Sequence, residues 1–145
     1  MTPRRLVAAI ALVLVACSGS GDQLVGPTWV LDPWSIARLG IEVPAGTIVD
    51  LRFEGTELGG TSACNHYGGP YEAGSGSVRL GDIAVTARAC EDASLMGLES
   101  AYLEAFSKVD GWRIQDGEGG RPSLKLTGGG VELRYTAVDE PSPSA

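Results

Sequence analysis

Near the C-terminus two runs alternate cleanly: Leu124 and Leu126 flank Lys125, and Val131, Leu133 and Tyr135 are separated by Glu132 and Arg134. Side chains two residues apart share a strand face, so with Gly128-Gly129-Gly130 between them these runs predict a hairpin with one apolar side. Comparable short runs predict strands over 28–31, 48–53, 57–62, 77–80, 83–87 and 112–115, in addition to 123–127 and 131–136. Turn-forming residues, among 21 Gly and 8 Pro, separate them. That spacing is the signature of a small antiparallel sheet. One segment follows a different period: Leu95, Leu98, Tyr102, Ala105, Phe106 and Val109 recur at three and four, which predicts one helix over about residues 94–110. Asp92 or Ser94 is placed to cap it, and Gly111 to end it.

The N-terminus has another character. Arg4 and Arg5 precede ten apolar residues, Leu6 to Val15, and the run ends at Leu14-Val15-Ala16-Cys17. Ten residues suit the core of an export signal, whereas a spanning helix needs about 20. Leu14 is poorly suited to ordinary signal cleavage, which wants a small residue at that place, but a lipoprotein signal accepts it and requires the Cys that follows. Residues 1–16 are therefore read as a cleaved lipoprotein signal peptide and Cys17 as the lipidated residue. Residues 17–24 are expected to form a flexible tether, 25–137 the domain and 138–145 a disordered tail. A diacylglyceryl thioether plus an N-acyl chain exceeds what stable anchoring needs. The expected location is the extracytoplasmic side of a bacterial membrane.

Cleavage after residue 16 leaves 129 residues, enough for one domain with a modest core. It also removes Arg4 and Arg5, leaving 9 basic residues against 18 acidic ones, a balance of −9. Such a charge, with basic residues scattered singly along the chain, argues against nucleic acid as a partner. Of three Cys residues, Cys17 is assigned to lipid, so Cys64 and Cys90 remain as a pair in an oxidising compartment and are expected to form a disulfide.

The segment Gly59-Gly60-Thr61-Ser62-Ala63-Cys64-Asn65-His66-Tyr67-Gly68-Gly69-Pro70-Tyr71, followed by Thr86-Ala87-Arg88-Ala89-Cys90, carries the strongest internal signal. With Trp29-Val30-Leu31, Leu51-Arg52-Phe53 and the closing Leu124-Lys125-Leu126, it resembles the META domain family of HslJ-like, heat-inducible bacterial lipoproteins. The likeness runs over residues 25–137. It implies a mainly β fold, a small antiparallel β-barrel or strongly curved sheet with one packed α-helix. It implies no reaction. Ala63 departs from the family pattern, which often has Gly there; a positive φ would strain Ala. From the residues alone, Asn65, Tyr67 and Gly69 read as a structural turn motif, since Asn and paired Gly suit a tight reversal.

Sharper chemistry finds little support in the sequence. Cys64, His66 and Cys90 lack zinc-site spacing and a fourth ligand, and the two Cys are too far apart for a redox-active Cys-x-x-Cys motif. His66, the only His, has no partners for a nucleophilic set. Catalytic residues, cofactor and metal are all assigned as none. Trp29, Trp34, Trp112, Tyr67 and Tyr71 could line a pocket, but a small barrel is usually filled by its own side chains; Trp34, placed in a Pro33-Trp34 loop, is the candidate exposed contact. The reading that emerges is a non-enzymatic, monomeric envelope lipoprotein, supporting envelope integrity or stress tolerance through an envelope protein or small ligand. Alternatives are an inhibitor of a lysozyme-like hydrolase, steered by negative charge, and an assembly pilot for an envelope complex.

Overall fold

A computed structural model describes residues 21–139. Cys17, the signal peptide and residues 140–145 lie outside the described residues. The strands are β1 (Thr28–Leu31), β2 (Asp50–Glu54), β3 (Glu57–Thr61), β4 (His66–Ala73), β5 (Val78–Leu80), β6 (Ala84–Val85), β7 (Gly111–Asp116), β8 (Pro122–Gly128) and β9 (Val131–Val138). Two helices, α1 (Pro33–Arg38) and α2 (Ala93–Phe106), join them.

All strand pairings are antiparallel, in the order β5-β4-β3-β2-β1-β9-β8-β7, with β6 added beside β4. The first and last strands therefore lie side by side, Thr28 opposite Val138 and Leu31 opposite Tyr135. Closure comes at a single bridge between Ser77 and Gly111. There Val78 N–H donates to the Asp110 carbonyl and Trp112 N–H to the Gly76 carbonyl, each at 3.0 Å. Beyond the bridge the edges part, so the molecule is a nearly closed eight-strand barrel with one unsealed seam. The expected mainly β barrel with one principal helix is what the chain forms.

Alternation fills the interior. Trp29, Leu31, Leu51, Phe53, Leu58, Tyr67, Leu124, Leu126, Leu133 and Tyr135 all point inward and are buried, each large apolar side chain stabilising the fold by roughly 1.5–3 kcal/mol. Leu98, Tyr102, Ala105 and Phe106 of α2 complete the same core. Hairpin alternation also sorts the connections. One end, the terminal end, gathers residues 21–27, the β2–β3, β4–β5 and β7–β8 turns and the last residues of β9. The other, the helix end, holds the β3–β4 corner, the β8–β9 turn and the first turns of α2.

Several boundaries differ from the sequence reading. Tyr67 and Gly69 are not in a turn: they belong to β4, an eight-residue strand, and only residues 62–65 turn the chain. Gly68 and Gly69 are needed there for close approach, because a Cβ would lie 2.9 Å from the Leu58 carbonyl oxygen at Gly68 and 2.3 Å from that of Asp82 at Gly69. Trp34 lies on α1, a six-residue helix, rather than in a loop. The main helix ends at Phe106, with Ser107 as its cap, and Gly111 opens β7. Residues 107–110 have to turn out of the helix to deliver Gly111 to the bridge with Ser77. The described residues open with Gly21–Leu24, a 3-10 turn with Leu24 fully buried, so part of the stretch expected to tether belongs to the folded unit.

Candidate functional site

The chemistry of the helix end is built on the β3–β4 corner. β3 delivers Thr61, Ala63 adopts φ +77°, and Asn65 leads into β4. Ser62 and Asn65 are buried, and so is Glu99, the one buried acidic side chain among the described residues. The Glu99 carboxylate accepts Ser62 Oγ at 2.7 Å, Asn65 N–H at 2.8 Å and Asn65 Nδ2 at 2.9 Å. Asn65 also faces the strand-like segment before α2: its Oδ1 accepts Arg88 N–H at 2.7 Å and Thr86 Oγ1 at 3.2 Å, while Nδ2 donates to the Arg88 carbonyl. One Asn–Glu pair thus ties corner, α2 and residues 86–88 together. Burial pushes the Glu99 carboxyl up, but hydrogen bonds from Asn65, Ser62 and the Asn65 and Cys64 amides outweigh it and hold it below the usual carboxylate range. A carboxylate held ionised and surrounded by donors serves as an acceptor hub.

The same corner carries Cys64, disulfide-bonded to Cys90 with the Cα atoms 5.9 Å apart. Closing that loop stabilises the fold by roughly 3–4 kcal/mol on the chain-entropy account. Both sulfurs are used in the bond, so they are not ligands, and His66 stands exposed on β4 with Nδ1 3.5 Å from Thr61 Oγ1. No group of three His, Cys, Asp or Glu side chains comes together among the described residues.

A second polar chain crosses the core. Tyr135 and Tyr102 hydroxyls lie 2.9 Å apart, those of Tyr102 and Tyr67 2.7 Å apart, and Tyr67 donates to the Asp50 carbonyl at 2.8 Å. Burial drives all three phenols well above their ordinary value, and neighbouring phenols add to it. They stay neutral at physiological pH and link β9, α2, β4 and β2 as a satisfied network. Trp29 and Trp112 are likewise interior, their indole N–H groups bonded to Leu24 and to Gly74 and Ser77 carbonyls. Four of the five aromatic residues that could have lined a pocket pack the core instead. Trp34 alone is substantially exposed, at 37%. Its ring lies 3.7 Å from the Arg134 guanidinium and 4.8 Å from that of Arg38, at the edge of an open groove of about 1030 Å³ shared with Asp116 and Arg121.

The META domain model matches residues 22–140, spanning every strand of the barrel. The chain belongs to the META domain family. Two solved structures share the fold of this META domain. An NMR structure of a protein from Burkholderia xenovorans is 22% identical, with a TM-score of 0.63 over 82% of this chain and 86% of that one. A second NMR structure is 20% identical, with a TM-score of 0.59 over 83% and 96%. No curated protein matches the chain. Within the META domain, the segments that carried the resemblance, 59–71 and 86–90, meet α2 at Glu99. Sequence reasoning did not single out Glu99, Thr86 and Arg88 as one unit. The available signal was an acidic residue between Leu98 and Tyr102 on the apolar side of a helix.

Proposed function

We propose that this META domain protein is a non-enzymatic, lipid-anchored envelope protein, held through Cys17 on the extracytoplasmic side of the membrane. Its surface meets an envelope protein or small ligand, and it supports envelope integrity or tolerance of heat and other stress. The observation that supports a non-catalytic reading above all others is the state of Glu99: the buried carboxylate that could have been a general acid or base is engaged by three hydrogen bonds from Ser62 and Asn65. The Leu14-Val15-Ala16-Cys17 pattern supports the anchor. The test is complementation of a deletion strain under heat challenge. Wild type is expected to restore survival and Cys17→Ser to fail while accumulating as folded, disulfide-bonded protein. Full rescue by Cys17→Ser would remove the anchor from the function.

A further inference from the structure

We infer that, once anchored, the terminal end of the barrel rests against the lipid surface and the helix end, with the first turns of α2, the Cys64–Cys90 bridge and the β3–β4 corner, points away from it. This rests on the lipidation of Cys17 proposed above and adds to it the surface that meets the membrane. Only Ser18, Gly19 and Ser20 separate Cys17 from Gly21. Four Cα-to-Cα steps reach at most about 14 Å. Gly21 itself is tightly placed, since a Cβ there would lie 2.4 Å from Ala73 Cβ at the end of β4. Leu24, three residues on, is wholly buried with its carbonyl accepting the Trp29 indole N–H. The leash therefore ends at a fixed point of the barrel rather than at a second flexible stretch. β4 alone is eight residues long, about 26 Å along the strand and, at usual barrel tilt, about 20 Å of barrel height. The leash is shorter than that height, so the barrel cannot stand inverted, with the helix end on the bilayer and the terminal end outermost.

The chemistry of the terminal end shows what kind of contact this is. Gly21, Val25, Gly55, Thr56 and Ala73 line a shallow groove there, and exposed Asp22, Glu54, Glu57 and Glu72 surround it. With carboxylates around the groove, Arg79 facing Glu72 and only Arg121 added by the β7–β8 turn, such a surface has little with which to attract anionic head groups. The apposition is imposed by the covalent lipid, and the barrel without lipid should not bind vesicles. At the opposite end Ile48, Val85 and Met96 are exposed, which leaves apolar side chains facing the space where a partner protein would approach.

Full-length lipidated protein carrying Thr56→Cys or Met96→Cys tests this directly. The native sulfurs are in the thioether and the disulfide, so the introduced thiol takes a fluorophore alone. In phosphatidylcholine vesicles with a nitroxide-labelled head-group lipid, quenching is expected to be several-fold stronger at 56 than at 96, with Val25→Cys resembling 56 and Val85→Cys resembling 96. Inserting a dozen Gly and Ser residues after Ser20, which multiplies the flexible reach, is expected to bring the sites toward parity. Equal quenching in the unextended lipidated protein, or stronger quenching at 96, would overturn the orientation while leaving the anchor standing. A purified protein whose intact mass carries no lipid would overturn the anchor, and the orientation with it.

Discussion

Ala63 holds the left-handed backbone conformation, φ +77°, without being glycine. An L-residue there is strained by roughly 1–2 kcal/mol, part of which glycine returns through its larger unfolded-state entropy. Ala63→Gly is therefore expected to raise stability by about 0.5–1 kcal/mol, read as a higher urea midpoint with unchanged slope. Two residues on, Asn65 and Glu99 make the hub. Replacing Glu99 by Gln puts an NH2 group against donors that need acceptors, and is expected to lower stability by about 1–3 kcal/mol at neutral pH. The pH dependence has a definite sign. Folding lowers the pKa of Glu99, so its contribution is complete above the unfolded-state value, about 4.3, and is lost as pH falls through the folded-state value. The gap between wild type and Glu99→Gln, followed by urea denaturation, is expected to narrow below pH 4.3. A gap that stays constant to low pH would show that the carboxylate charge is not what the hub uses. The strained φ at Ala63 was readable beforehand from its departure from the family pattern, but the hub was not: Glu99 lies 34 residues from Asn65 and 37 from Ser62, and only the fold makes them neighbours.

At the scale of elements, β4 is the instructive case. His66–Ala73 contains Gly68, Gly69 and Pro70, which read locally as a reversal. In the barrel these residues have different work. Glycine allows the backbones of neighbouring segments to press in, and Pro70 falls at the break between β5 and β6 on that edge, where an absent N–H matters least. Gly69→Ala places a methyl 2.3 Å from the Asp82 carbonyl oxygen and is expected to lower stability by at least about 1–3 kcal/mol, with calorimetry as the check; an unchanged melting temperature would contradict the close approach. α1 was hidden for another reason. Six residues are too few to display a period, although Asp32 before Pro33 is a fair helix start. The hairpin of β8 and β9 and the apolar stripe of α2 were legible because burial on one face imposes period 2 or 3.6 directly on the sequence.

Across the whole molecule, eight of the nine strands were visible in the pattern, but not β4, which read as a reversal, nor the order of the strands around the barrel. Nothing in the alternation of Thr28–Leu31 says that its neighbour is Val131–Val138, more than a hundred residues later, and the bridge at Ser77 and Gly111 that nearly closes the barrel leaves no periodic trace. Pairing the first strand with the last brings the start of β1 and the end of β9 to one end, and the disulfide and Glu99 hub lock the other. With Cys17 lipidated as proposed, a short leash would make the anchored barrel directional. That picture depends on the covalent state of the exported chain, so intact-mass spectrometry of the protein extracted from membranes, with and without reduction, tests it most directly. The expected species begins at Cys17, carries diacylglyceryl and acyl groups, and gains two hydrogens on reduction as Cys64 and Cys90 part. An unmodified Cys17, or a chain still carrying residues 1–16, would contradict it.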